Sequence, residues 1–409
     1  MTDHVPSPAS QHDLSVEILS DALKGIDIDF VVSGSIAAVE SVRLIRSLRR
    51  LGANVFPFLT SGGAQFITPM ALEWASAQPV VEQFSGRTSH IGTHAACVIA
   101  PASANFVSKI VRGITDCPAT ALVASYLGQK KPVLVLPAMH ASLEKSPAIA
   151  ENLADLERLG SWVKFLQSRR EEGKVKFPDP ETLADIVSHE ILLRPHRVLI
   201  AMGTTHGPID AVRYVSNYSS GALGTAISHE LFRMGFQTTV VCGPSMIRPK
   251  VGTDIIDVKT TAEMAHALSA SSDKISAFVM AASVLDYEPE QKEAGKIRSD
   301  RPSFSLSLKP TPKLIRLVNP SSGIKVGFKL EVDLSSNLSQ LARKMSSDYG
   351  LSMLVYNQLS EVGPSKHRAQ VVVQDQYGDF LTTTVEGKAA LAKSIVSHIA
   401  HRLSKGSRE

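Results

Sequence analysis

The run Arg213-Tyr214-Val215-Ser216-Asn217-Tyr218-Ser219-Ser220-Gly221-Ala222-Leu223-Gly224 puts small polar side chains just ahead of an apolar helical repeat. Leu223, Ile227 and Leu231 share one helical face, and Gly235 ends the repeat. Ser219, Ser220 and Gly221 at a helix start offer N-caps together with free backbone N–H groups, which favour an anion. Upstream, the turn Gly203-Thr204-Thr205-His206-Gly207-Pro208-Ile209-Asp210 follows an apolar strand-like run, Val198–Met202. Only Gly221 and Gly224 have the spacing of a Gly-x-Gly-x-x-Gly fingerprint, so the dinucleotide chemistry of a dehydrogenase has weak support.

Three further turns repeat this theme in the first half. They are Ser33-Gly34-Ser35-Ile36-Ala37-Ala38, Thr60-Ser61-Gly62-Gly63 and Pro101-Ala102-Ser103-Ala104-Asn105. Each follows a strand candidate, at the end where open α/β sheets bind ligands, and small residues there let a phosphate approach the backbone.

The elements that must position these turns alternate in type. Strand candidates are Phe30–Ser33, Asn54–Leu59, Cys97–Ala100 and Pro132–Leu136, with a helix over Glu40–Leu51 that buries Val42, Ile45, Leu48 and Leu51. A charged stretch, Ser168–Lys176, interrupts the pattern; Pro178-Asp179-Pro180 then opens a helix to about His189. Past a linker near Pro195 the alternation restarts with Val198–Met202, Thr239–Cys242, Ile255–Val258, Ala277–Ala281, Val326–Lys329, Met353–Tyr356 and Val371–Val373. Gly378–Thr384 is placed in a hairpin with Val371–Gln374. Short apolar strands separated by helices imply a parallel sheet covered on both faces. The predicted architecture is therefore α/β, with two doubly wound Rossmann-like domains: a tail over 1–27, a first domain over 28–192 and a second over 193–409.

Composition narrows the function. The 409 residues are 44% hydrophobic and 20% charged, and the formal charge is 43 − 39 = +4. That is a globular balance without the basic surplus or aromatic stripe of a nucleic-acid binder. Cys97, Cys117 and Cys242 are too few and too dispersed for a disulfide framework or zinc cluster. No apolar run reaches the length of about 20 residues that spans a bilayer. A soluble cytoplasmic protein with small-molecule partners is expected, without nucleic acid or membrane.

The first half resembles the flavin-containing cysteine decarboxylases, which include the phosphopantothenoylcysteine decarboxylases. The resemblance spans roughly residues 28–188. It rests on Gly34-Ser35-Ile36-Ala37-Ala38, Ser89-His90-Ile91, Ala100-Pro101-Ala102-Ser103-Ala104-Asn105, Gly113-Ile114-Thr115-Asp116 and Leu136-Pro137-Ala138-Met139, in that order. It implies a flavodoxin-like domain in which Gly34, Ser35, Ile36, Ser61, Ser103 and Asn105 hold FMN and His90 is the catalytic histidine. Histidine suits proton transfer near neutral pH, and the flavin carries the redox step. Two positions depart from the family pattern. His140 stands where the family has the Asn that meets the substrate carboxylate, so His140 must serve as the donor. The substrate flap, matched by 168–178, lacks the family's reducing cysteine, as in the archaeal-type branch; Cys117 is a substitute candidate.

The second half resembles the phosphopantothenate–cysteine ligases. The match covers about 196–400 through the Arg213–Gly221 run, Ala281-Ala282-Ser283-Val284-Leu285-Asp286-Tyr287, Lys296-Ile297-Arg298, Pro310-Thr311-Pro312-Lys313-Leu314-Ile315, Gly327-Phe328-Lys329-Leu330-Glu331 and Asn357. A ligase activates a carboxylate on a nucleoside triphosphate, which calls for donors and cations around phosphate, with Mg²⁺ bridging. By resemblance Asn217, both donor and acceptor, orients the acyl group. Ser219, Ser220, Gly221, Ala282, Asp286, Lys296, Lys313 and Phe328 meet the nucleotide and its phosphates. No protein metal-ligand set is expected. CTP is the preferred cosubstrate, and Lys329 keeps ATP open. Ala222, Thr204 and Gly207 stand where relatives frequently carry Lys or Arg, Gly and Glu.

Together the two resemblances imply a fused enzyme of coenzyme A synthesis, ligating 4′-phosphopantothenate to cysteine and then decarboxylating the product to 4′-phosphopantetheine. The alternative keeps the ligase and makes the first domain a divergent or regulatory flavoprotein module that does not decarboxylate. Oligomers are implied for both domains, trimeric for the flavin domain and dimeric for the ligase domain.

Overall fold

Strands that are apolar without interruption must be covered on both faces, and the first sheet shows this directly. In this computed structural model, which describes residues 14–86, 88–171, 174–250, 252–298, 303–332, 337–363, 367–374 and 379–406, the chain divides into two compact units. One runs up to Leu193 and includes Arg233–Gly235; the other is Arg194–Phe232 with the chain from Phe236 onward.

The first unit holds β1 (Asp27–Val32), β2 (Asn54–Leu59), β3 (Ala96–Ala102), β4 (Val133–Pro137) and β5 (Val163–Phe165). All pairings are parallel, in the order β2-β1-β3-β4-β5. Side chains alternate between two cores. Phe30 and Val32 pack with Leu44, Ile45, Leu48, Leu183 and Val187 on one face, and Val31 packs with Phe106, Leu122, Val123 and Tyr126 on the other. The expected helix over 40–51 is a 3-10 turn, Ile36–Glu40, followed by the α-helix Ser41–Arg50. Residues 14–26, placed in a tail by the sequence reading, pack on this unit instead. Leu23 is fully buried, and the Leu19 and Ser20 amides donate to the Arg50 carbonyl. The Met1–His12 stretch of that reading lies outside the described residues. Within the charged stretch β6 (Arg169–Glu171) pairs antiparallel with β7 (Lys174–Lys176).

Asp29 interrupts the apolar run of β1. It is buried, accepts from the Tyr126 hydroxyl at 2.7 Å and meets His94 Nδ1 at 2.8 Å. Burial pushes its carboxyl above the ordinary value, opposed by those two partners; burial and the adjacent Asp29 in turn raise the Tyr126 hydroxyl. Asp29→Ala leaves two polar groups unmatched, so we expect a loss of about 2–3 kcal/mol, roughly 5–10 °C in the unfolding midpoint. Both tryptophans, Trp74 and Trp162, lie in this unit, so thermal unfolding followed by tryptophan fluorescence isolates the effect. An unchanged midpoint would contradict it.

The second unit contains β8 (Arg197–Met202), β9 (His206–Pro208), β10 (Tyr214–Ser216), β11 (Gln237–Cys242), β12 (Thr253–Asp257), β13 (Ala277–Met280), β14 (Tyr287–Pro289), β15 (Leu308–Pro310), β16 (Ile324–Glu331), β17 (Met353–Val362), β18 (His367–Gln374) and β19 (Phe380–Glu386). Eight form one sheet, β12-β11-β8-β13-β16-β17-β18-β19. Pairing is parallel through β17 and antiparallel for β17–β18 and β18–β19. The expected final hairpin is present, with Gln374 opposite Phe380 and Val373 opposite Leu381. The parallel expectation thus holds for six strands and stops at β17, because the few residues between β17, β18 and β19 are too short a connection for a parallel crossover. Two small ribbons, β9–β10 and β14–β15, are additions to the sequence reading. Their three-residue strands carry too little periodicity to be seen.

Candidate functional site

Each of the two large sheets has one place where the chain order reverses direction, the position at the C-terminal strand ends where open α/β sheets form a ligand crevice. In the first unit it lies between β1 and β3. Ser33 Oγ donates to the Pro101 carbonyl at 2.8 Å and accepts from the Ser103 amide at 2.8 Å, so one hydroxyl stitches the two strand-end turns together. Ser35 caps the 3-10 turn by accepting from the Ala37 amide, and Ser103 caps the helix Ala104–Val111 by accepting from the Phe106 amide. The turn after β2 comes very close: a Cβ on Gly34 would lie 3.0 Å from the Gly62 carbonyl carbon and 3.1 Å from its oxygen.

These turns line a cavity of about 700 Å³. Of the residues expected from sequence, Gly34, Ser35, Ser61, Ser103, Asn105 and His140 line it. Ile36 and His90 are not among its lining residues. Ile36 is solvent-exposed, and His90 makes an edge contact with Phe84 at 5.6 Å between ring centroids. His140 caps the short helix Ala141–Glu144 through Nδ1, which accepts from the Ser142 amide at 3.3 Å and meets its hydroxyl at 2.8 Å. Cys117 also lines the cavity, with Sγ 3.4 Å from Thr120 Oγ1. Sequence reasoning missed the Lys109–Asp116 ion pair in the same wall, 2.6 Å long, which holds the Asp116 carboxyl below its ordinary value. The seven-residue spacing across a helix end was the available signal.

In the second unit the reversal lies between β8 and β13. Thr204 and Ser283 form an isolated bridge there. Thr205 Oγ1 accepts from the Leu285 amide and from Thr261 Oγ1, both at 3.1 Å. Asn217 donates through Nδ2 to the Val284 carbonyl at 3.0 Å, and its own carbonyl accepts from Thr204 Oγ1 at 3.3 Å. Asn217 and the Ala282–Asp286 turn thus meet across the crevice. Ser219 and Ser220 accept from the Gly221 and Ala222 amides at the start of the helix Ala222–Arg233. Gly221 has φ +78° and lies so near Ile247 that a Cβ would sit 2.5 Å from its carbonyl oxygen, so this start tolerates no side chain.

Asp286 and Lys313, both expected to face nucleotide, are 2.5 Å apart and exposed. Each is the other's partner in this state, and the Thr311 amide fixes the turn through the Asp286 carbonyl at 2.9 Å. Ala282 packs on the core beneath the crevice, whereas Phe328 is half-buried on β16, one strand further along. Lys296 is exposed, on a segment hydrogen-bonded to the turn between β9 and β10. Among the described residues no three His, Cys, Asp or Glu side chains converge on a metal site.

Known proteins similar to this chain match it along most of its length. The family model described as Flavoprotein matches residues 17–192, and that of the DNA/pantothenate metabolism flavoprotein C-terminal domain matches residues 193–403. The coenzyme A biosynthesis bifunctional protein CoaBC of Thermococcus kodakarensis is 36% identical over 371 residues, covering 87% of this chain and 91% of its own. A cysteine/cysteine sulfinic acid decarboxylase from an unknown prokaryotic organism is 30% identical over 363 residues, 81% of this chain and 98% of its own. Among solved structures, the DNA/pantothenate metabolism flavoprotein from Streptococcus pneumoniae covers 50% of this chain and 99% of its own, at 24% identity and a TM-score of 0.45.

Proposed function

This chain belongs to the family of coenzyme A biosynthesis bifunctional proteins, and from that premise we propose that it joins 4′-phosphopantothenate to cysteine and then decarboxylates the product. The observation that carries the reading is the pairing of two strand-order reversals in one chain. One holds a Gly/Ser-stitched cavity at β1/β3, and the other the Asn217–Val284 contact at β8/β13 beside the Ser219–Gly221 helix start.

In the ligation step the carboxylate of phosphopantothenate attacks the α-phosphate of CTP or ATP, releasing pyrophosphate; the cysteine amine then displaces the nucleotide. Mg²⁺ enters with the triphosphate as part of the substrate. The amides at Ser219–Gly221 receive phosphate oxygens, Asn217 holds the acyl oxygen, and Lys296 neutralises charge. Nucleotide binding separates Lys313 from Asp286, freeing the ammonium for phosphate and the carboxylate for the rest of the nucleotide. CTP is the first choice.

In the decarboxylation step, FMN would accept and return the two electrons that make the cysteinyl carbon able to lose CO₂. The cavity fits such a group: Gly34 lacks the Cβ that the Gly62 backbone would obstruct, and Ser35, Ser61, Ser103 and Asn105 supply hydroxyl and amide partners. His140 binds the substrate carboxylate and Cys117 stands in the same wall. His90, outside its own chain's cavity, serves that of a neighbour in a trimer of flavin units, while the ligase units pair as dimers. No helix among the described residues is long and apolar enough to cross a membrane, which suits a cytoplasmic enzyme.

The test supplies the full chain, loaded with FMN, with phosphopantothenate, cysteine, Mg²⁺ and either nucleotide. Phosphopantothenoylcysteine should form first, followed by CO₂. Absence of ligation with both nucleotides refutes the first step, and ligation without CO₂ refutes the second.

A further inference from the structure

Asp210 sits three residues before the Arg213–Gly224 run, and its side chain is wholly enclosed. Oδ1 accepts from the backbone amides of Val212 and Arg213, each at 2.7 Å. Oδ2 accepts from Arg213 Nη1 at 2.7 Å and from the Ile297 amide at 3.0 Å. Burial alone would raise this carboxyl, but the three amides and the guanidinium prevail and hold it at about 2, so it is ionised at any pH the enzyme meets.

The Ile297 contact reaches far along the chain, and it is reinforced. Arg213 Nη1 also donates to the Ile297 carbonyl at 3.1 Å. The Glu293 amide donates to the Ile209 carbonyl at 2.9 Å, and the Ala211 amide to the Gly295 carbonyl at 3.4 Å. Residues 293–297 are thus clipped along the 209–213 turn, with bonds on both sides of Lys296 and, among the described residues, no hydrogen bond or ion pair to its ammonium. A lysine is a point charge on a flexible stem, so its usefulness at a phosphate depends on where its backbone is held. The clip does not alter the local field, since Asp210 and Arg213 cancel each other.

We infer that Asp210, acting with Arg213, is a positioning residue for ligation that holds Lys296 over the nucleotide's phosphates; this rests on the phosphate role assigned to Lys296 above. The same turn leads directly into β10 and Asn217, so one buried carboxylate sets the register of the acyl-orienting amide against the cation. Sequence reasoning could have met this pair as an Asp–Arg at i, i+3, but only the structure reveals its distant partner.

Asp210→Asn is the selective probe. Its Oδ1 keeps the two amides of the turn, whereas its NH₂ faces the Ile297 N–H and the guanidinium, which it cannot accept from. Hydrogen exchange of the 293–298 amides should rise by roughly 10-fold or more, with β8 and β13 unchanged. The nucleotide kcat/KM should fall roughly 10–100-fold. Asp210→Glu, which restores an acceptor, should recover part of the loss. In the double variant with Lys296→Ala the losses should not multiply, because both act through one group. Faster exchange with wild-type kinetics, or losses that multiply, overturns the positioning role while leaving the Lys296 reading in place. Wild-type kinetics for Lys296→Ala alone overturns both. If Asp210→Asn does not fold, Arg213→Lys makes the same test, since it retains the charge but drops the bond to the Ile297 carbonyl.

Discussion

Asn217→Asp should leave the protein folded and reduce ligation by about 10²–10³-fold, the usual effect of removing one donor from a site of developing charge. Asn217 Nδ2 donates to the Val284 carbonyl at 3.0 Å, across the crevice between β8 and β13. A carboxylate there has no hydrogen to donate and sets a negative oxygen against a carbonyl dipole. It also brings a third anion to the place proposed to receive a carboxylate and a triphosphate together. The residue is exposed, so the fold barely depends on it, and a stability change within about 1 kcal/mol is expected. Single-turnover measurement of nucleotide cleavage and of product separates the two halves of the reaction. Full ligation by the variant would remove Asn217 from its assigned role.

How far the sequence leads depends on how local each signal is. Apolar strand runs are local, and β2 over Asn54–Leu59 has the bounds read from sequence, because its apolar run and flanking turns are encoded in and beside the segment. The helix at Ala222 and its stop at Gly235 were equally legible, since Gly235 takes φ +80° where a side chain would strain. Long-range pairing is not local. Nothing around Asp210 announces Ile297, and nothing around Lys313 announces that its charge is taken up by Asp286. His90 shows the same limit: the family resemblance marks it for proton transfer, yet it is not among the lining residues of the cavity in its own chain. The small ribbons β9–β10 and β14–β15 escaped because three residues hold too little periodicity, although β10 leads into Asn217 and β14 follows the Ala282–Asp286 turn.

Gly34→Val should abolish stable flavin retention, with FMN affinity falling by roughly 10–100-fold. A first Cβ already lies 3.0–3.1 Å from three backbone atoms of Gly62, and the opposite approach is only slightly looser, with a Gly62 Cβ 3.3 Å from the Gly34 Cα. Neither side can yield by rotating a side chain, because both are backbone. The two γ-methyls must therefore separate the β1 and β2 turns or enter the cavity, and overpacking of this kind costs about 1–3 kcal/mol, the upper part of which converts to the stated range at 1.4 kcal/mol per decade. Gly34→Ala, with the Cβ alone, should sit between wild type and Val. The readout is direct: flavin absorbance of the purified protein, then titration of the apoprotein with FMN. The residues assigned to ligation all lie in the other unit, so ligation serves as an internal control and should stay within about twofold of wild type. Unchanged FMN affinity in a folded Gly34→Val protein would move the flavin away from the β1/β3 crevice and, with it, the roles given to Ser35, Ser61, Ser103 and Asn105. Lost affinity with ligation intact would tie flavin binding to the close approach of two glycine turns.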